Sequence, residues 1–325
     1  MSPGTGIPKP PAAARAAAVL AALLLLAGCG LLRGPAPEEA AKAPPAEVME
    51  LEAAARAGDP DAQDALGVVY HEGLGVPRDD ALARRWFTPA ARKGHAGAQL
   101  HLADLLAHGL GGPADPDAAA RWALQAGRNG QAGAAALCRE LARHDHAEAQ
   151  FALALLLLDG AGGAEKAPAR AAAWLKKAAR NGHVGAWRTL GVLFLEGRGV
   201  PKNVAVGLAW LRKAAEAGDP EAAYRVGRLY YLGDGVRRDY RAAADWFRNA
   251  ADKGHAAARY SLGYLYFKGL GVPSDYSTAY MWFQLAAEAG AEAAARALAR
   301  LEPLMTAGEL VEAKRMAAAR RRRGR

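Results

Sequence analysis

Eight histidines and two cysteines are the side chains here best suited to acid–base, nucleophilic or metal chemistry, and their placement argues against each. His95, His183 and His255 follow a glycine in Lys-Gly-His or Asn-Gly-His, a position held elsewhere by Asp59, Gln131 and Asp219. Residues that exchange in this way suit a helix start, not a metal ligand. His144-Asp145-His146 offers a short-range metal pair, but no further ligand cluster accompanies it. No Gly-x-Ser-x-Gly or Ser-x-x-Lys nucleophile motif is present. The recurrent Gly-x-Gly turns follow helix-like stretches, whereas a dinucleotide site needs a preceding strand and a third glycine opening a helix. The sequence therefore predicts no catalytic residue, no metal and no bound cofactor. A binding surface is the better expectation.

Those glycines belong to a repeat. Leu66-Gly67 leading to Gly73-Leu74-Gly75-Val76 returns at Leu190-Gly191, Val226-Gly227 and Leu262-Gly263, with a weaker copy at Leu102-Ala103. The interval is 36 residues from Gly67 to Ala103, from Gly191 to Gly227 and from Gly227 to Gly263. Trp86, Trp122, Trp174, Trp210, Trp246 and Trp282 follow the same beat. A period of this size marks a solenoid, in which each unit buries its apolar face only against its neighbours. Each unit reads as a helix–turn–helix. Asp219-Pro220 is a strong helix start, Val226, Leu229 and Tyr230 share one apolar face, and Gly233 and Gly235 end the helix. The second helix is expected to bury Trp246. Gly227 inside a helix costs about 1 kcal/mol against Ala, so its recurrence implies close helix approach.

Residues 1–28 read as a signal peptide: Lys9 and Arg15 precede an apolar run, Ala16 to Ala27, too short to span a membrane. Its end, Leu26-Ala27-Gly28-Cys29, resembles the lipobox of bacterial lipoproteins, which implies a lipid on Cys29. By the same resemblance, Gly at position 30 favours the outer membrane, facing the periplasm. Residues 29–45 form a disordered Pro- and Ala-rich tether. A capping helix and two repeats fill 46–130. Residues 131–146 are a truncated repeat: Gly109 to Gly160 spans 51 residues, and a bend or offset there should separate two blocks. Repeats three to six fill 147–291, capping helices 292–316 and a basic tail 317–325.

These motifs resemble the Sel-1-like repeat family, relatives of the tetratricopeptide repeats. The resemblance implies an all-α, right-handed α-solenoid that serves as a protein-interaction scaffold. Some cysteine-rich relatives are linked to β-lactam or cell-wall binding, which leaves peptidoglycan binding or a hydrolase-like activity as the alternative. Only Cys138 joins Cys29, so no disulfide staples the repeats once Cys29 is acylated. By analogy with tetratricopeptide arrays, positions three before and one and four after the helix glycine line the concave face. They are Tyr224, Arg228 and Tyr231, then Tyr260, Tyr264 and Phe267, then Arg188 with Val192 and Leu195, then Asp64, Val68 and His71. Some of these either bind a partner or pack between units; Tyr230 and Tyr266 are assigned to packing. Tyr and Arg dominate binding hot spots, so the groove is expected to take an envelope protein.

Charge sharpens the reading. Of the net +9, two positives lie in the signal segment and seven between Lys314 and Arg325, where no acid occurs. The intervening body is neutral, which argues against nucleic acid despite the high pI. The tail is either a solvated end or a salt-sensitive contact to acidic lipid or peptidoglycan.

Overall fold

A computed structural model describes residues 44–323, together with positions 18, 19 and 21. The rest of the signal segment, Cys29, most of the tether and residues 324–325 lie outside the described residues. The described elements are helical and fall into two compact units, divided between Asn181 and Gly182. The first contains α1 (Ala46–Arg56) and the pairs α2 (Pro60–Glu72) with α3 (Asp80–Arg92) and α4 (Ala96–His108) with α5 (Pro116–Arg128). Then come the odd helix α6 (Ala134–Arg143) and the pair α7 (Ala147–Asp159) with α8 (Pro168–Arg180). The second unit pairs α9 (Val184–Glu196) with α10 (Val204–Glu216), α11 (Pro220–Leu232) with α12 (Tyr240–Asp252), and α13 (Ala256–Lys268) with α14 (Tyr276–Glu288). It ends in α15 (Glu292–Leu301), a short 3-10 turn and α16 (Ala307–Arg323).

Local chemistry sets the helix starts. Asp219 caps α11 by accepting from the Ala222 N–H at 2.9 Å, with Pro220 fixing the first helical φ. The three histidines of the Gly-His pairs do the same work: His95, His183 and His255 accept at Nδ1 from the N–H three residues on, each at 3.1 Å. Helix ends are as regular. Gly233 takes φ 74°, and its N–H returns to the Leu229 carbonyl at 2.9 Å.

Packing corrects one expectation. The recurring tryptophans are only partly buried in five repeats, and Trp282 alone among them is in the core. Burial falls on the residue that follows: Phe87, Ala123, Leu175, Leu211, Phe247 and Phe283. A helix turns about 100° per residue, so this neighbour faces the paired helix while the tryptophan lies at its edge. The helix glycine receives that side chain. A Cβ at Gly227 would stand 2.6 Å from the Phe247 ring, and one at Gly67 2.5 Å from Phe87. Close approach is thus the reason for the glycine.

The stretch 131–146 does not divide the units. There α6 is built into the first unit, with the Ala135 N–H donating to the Gly162 carbonyl at 2.9 Å. Asp145 takes the place of the repeat-closing glycine with φ 61°, and its carboxylate accepts from Gln150 Nε2 at 3.1 Å. His144-Asp145-His146 is therefore a left-handed turn between α6 and α7. Among the described residues no group of three His, Cys, Asp or Glu converges on a metal position.

The C-terminal tail also departs from a solvated end. It continues α16 as helix through Arg323, and two of its arginines are engaged. Arg320 pairs with Asp252 and lies 4.3 Å above the Trp282 ring, while Arg321 reaches Glu288 at 3.4 Å.

Candidate functional site

In the second unit, α11 and α13 bring six of the seven candidate side chains together. Tyr224, Arg228 and Tyr231 sit at i, i+4 and i+7 on α11, and Tyr260, Tyr264 and Phe267 repeat the pattern on α13. Between the two rows lies a pocket of about 300 Å³, walled by Tyr224, Arg228, Tyr231, Tyr260 and Tyr264 and backed by Phe247. A second pocket of about 190 Å³ shares Tyr260 and Tyr264 and continues past Phe267 to Arg296 and Arg300 of α15.

The tyrosines both pack and line. Tyr224 lies 5.7 Å from Phe247 and stacks on His255 at 4.6 Å; Tyr260 lies 5.5 Å from Phe283. His255 is held in turn. Its Nδ1 accepts the cap bond, so its Nε2 carries the proton and donates to Glu221 at 2.9 Å. Burial works against ionisation of Glu221, but the His255 hydrogen bond and the Arg225 guanidinium hold its carboxyl below the usual range. Burial, reinforced by Tyr264, Tyr240 and Tyr260, raises the Tyr231 phenol, which keeps that hydroxyl protonated at neutral pH. All four groove tyrosines are half-buried, whereas Arg228 and Leu232 are exposed. The arrangement offers aromatic area, hydroxyl donors and guanidinium groups. It has no nucleophile–base pair.

Arg188, the seventh candidate, stands elsewhere. It donates to the buried Asp219 at 2.6 Å, and Asp219 already caps α11. Arg188 therefore ties one repeat to the next and does not line either pocket. Tyr230 and Tyr266 accept from Arg212 and Arg248 respectively. They support the packing of second helices against first ones.

The first unit holds a second groove, in which His71 is the one lining residue that the expected register around Gly67 supplies. About 390 Å³ opens among His71, Phe87, His101, Asp104, Leu137 and Glu140. His71 meets Asp80 at 2.6 Å and His101 meets Asp64 at 2.9 Å, so three of the groove positions expected around Gly67 are partly engaged in ion pairs or packing. The signal for it was Leu100 and Asp104, three before and one after Ala103. Glu140 lies on α6, which has no repeat register to read from. Cys138, on the same helix, is fully buried, and burial pushes its thiol up to about 12, which leaves it inert at neutral pH.

His108, which contacts Asp104 and Glu140 of this lining, carries a pH signature. The Asp104 carbonyl at 3.0 Å from Nδ1 raises its pKa, against partial burial and with help from the Asp104 and Glu140 carboxylates. A raised histidine adds stability below its unfolded value of about 6.5 and loses it as pH rises through the folded value. Asp80, whose carboxyl is held low by His71 and Arg78 against burial, acts only in acid. Thermal melts should thus show His108→Gln losing more stability relative to the parent at pH 6 than at pH 8. A difference that does not vary with pH would remove His108 from this role.

Comparison with known proteins completes the picture. A profile of the Sel1 repeat matches residues 60–95, 96–131, 147–183, 190–219, 220–255 and 256–290. The fold is similar to that of a protective antigen present in uropathogenic Escherichia coli strains, which displays an SLR fold. That match is 27% identical, covers 84% of this chain and 71% of the other, and has a TM-score of 0.54. It is also similar to a Sel1 repeat protein from Oxalobacter formigenes, 32% identical over 78% of this chain and 80% of that one, with a TM-score of 0.50. Among curated proteins none matches the sequence.

Proposed function

The chain belongs to the Sel1 repeat family, and from that premise we propose that it is a non-enzymatic adaptor of the bacterial cell envelope, binding a protein through the tyrosine groove of α11 and α13. Sel1 repeats generally mediate protein–protein interaction, and the family is typically a non-catalytic scaffold. One observation carries the reading: four half-buried tyrosines on two successive first helices enclose a preformed pocket beside an exposed arginine. Tyrosine gives large contact area at small entropic cost, and a preformed groove avoids the cost of ordering. Lipid on Cys29 would hold this body at the outer membrane, on the periplasmic side; the support is the Leu26-Ala27-Gly28-Cys29 sequence. No described helix is long and apolar enough to cross a membrane. The cell-wall alternative loses part of its basis in the tail, because Arg320 and Arg321 are engaged within the fold.

Capture from envelope extract tests the groove. The full chain is compared with Tyr224→Ala/Tyr231→Ala/Tyr260→Ala/Tyr264→Ala, whose helicity is checked by circular dichroism, and with Leu232→Glu, at an exposed position of the same rim. A protein held by the parent and lost from both folded variants is expected. Equal capture by all three baits would refute the groove as the adaptor site.

A further inference from the structure

The two adjoining pockets of the second unit carry charge of one sign. Arg228 stands at one end, and Arg296 and Arg300, one helical turn apart on α15, stand at the other. No carboxylate lines either pocket, and among the described residues none of these three arginines is in an ion pair. That is unlike Arg188, Arg225, Arg248, Arg320 and Arg321 of the same unit, each of which meets an acid. Between the cations the wall is aromatic and its hydroxyls are proton donors. A partner segment that brought lysine here would face uncompensated repulsion, whereas one bringing carboxylates would pair with guanidinium groups in forked hydrogen bonds.

We infer that the groove takes an extended acidic peptide of its partner: an apolar or aromatic side chain seated between Tyr224, Tyr231 and Tyr260, with Asp or Glu reaching Arg228 on one side and Arg296 and Arg300 on the other. The inference rests on the reading of this groove as a protein-binding site and names the chemistry that the site selects. A peptide is favoured over an acidic polysaccharide because the cavity is divided by Tyr260 and Tyr264 into two side-chain-sized pockets with an apolar back wall, Phe247 and Phe283. A sugar ring offers only a flat C–H face, which stacks on an aromatic wall but does not fill a recess as a side chain does.

Selection of a random peptide library on the purified full chain tests this. Asp and Glu are expected to be enriched at least about threefold over Lys and Arg, beside Leu or an aromatic residue, at low salt. Selection on Arg228→Glu/Arg296→Glu/Arg300→Glu should reverse the bias, and the three exposed positions leave the core intact. The Tyr-to-Ala variant should lose the enriched peptides altogether. Enriched peptides without charge bias, still dependent on the tyrosines, would overturn the acidic assignment while leaving the groove reading in place. Enrichment indifferent to the tyrosines would sink both. No enrichment above an unrelated protein, or tighter binding of alginate than of any selected peptide, would overturn the peptide assignment.

Discussion

Phe247→Ala is expected to destabilise the second unit by about 3–5 kcal/mol, the usual cost of deleting a fully buried ring. Phe247 is 1% exposed and sits against Gly227, where even a Cβ would come within 2.6 Å of it. Ala222, Val226, Ala243 and Leu262 belong to the same buried cluster, so the cavity would be dry and lined by side chains already in contact. Its neighbour Trp246 recurs far more regularly but is only partly buried, and Trp246→Ala should cost clearly less. Chemical unfolding followed by circular dichroism ranks the two. A larger loss for Trp246→Ala would reverse the assignment of the core. The helix glycine also explains a difference inside the chain. Where Ala103 replaces the glycine, the position of the ring is taken by Ala123, and both are buried. Ala154 coexists with Leu175, but in the repeat whose turn is one residue longer.

That contrast shows why the sequence was legible in some places and not in others. Near-constant letters report constraints that only one residue type, or the smallest few, can meet. The helix glycine and the left-handed Gly233 are such cases, and both were readable. The core position after each tryptophan varies among Phe, Ala and Leu, because any apolar side chain of suitable volume fills it. It leaves no fixed letter, and the eye settles on the tryptophan. The groove followed from the repeat register, read by analogy with tetratricopeptide arrays, for Tyr224, Arg228, Tyr231, Tyr260, Tyr264 and Phe267. Register failed for Arg188 because its partner, Asp219, belongs to the next helix start, 31 residues on. The tail failed likewise. Its arginines look solvated along the chain, yet Asp252 and Glu288 meet Arg320 and Arg321 from helices brought near only by folding. Arg296 and Arg300 were invisible as groove residues because α15 lies outside the repeat pattern.

The second glycine of each Gly-x-Gly turn makes the other large prediction. Gly271 has φ 70°, and a Cβ there would lie 2.3 Å from the Tyr240 carbonyl carbon and 2.4 Å from the Arg241 nitrogen. The turn after α13 therefore rests on the backbone of the first turn of α12, and Gly111 rests in the same way on Asp80 and Ala81. Two costs add in Gly271→Ala. A left-handed L-residue costs roughly 1–2 kcal/mol, and overpacking against backbone that cannot rotate away costs roughly 1–3 kcal/mol more. The reduced entropy of the unfolded chain returns less than about 1 kcal/mol. A loss of about 3 kcal/mol is the expected sum. Gly290 separates the two contributions: its φ is 86°, but nothing lies within 4 Å of an added Cβ. Gly290→Ala should thus show the conformational cost without the overpacking, about 1–2 kcal/mol before the same entropic return. Equal losses at the two positions would mean that the turn does not bear on α12. The expected inequality also reaches function, because the turn that Gly271 seats ends the helix carrying Tyr260 and Tyr264. A Gly271→Ala protein that still folds should hold α13 out of register with α11 and lose groove binding, while Gly290→Ala keeps it.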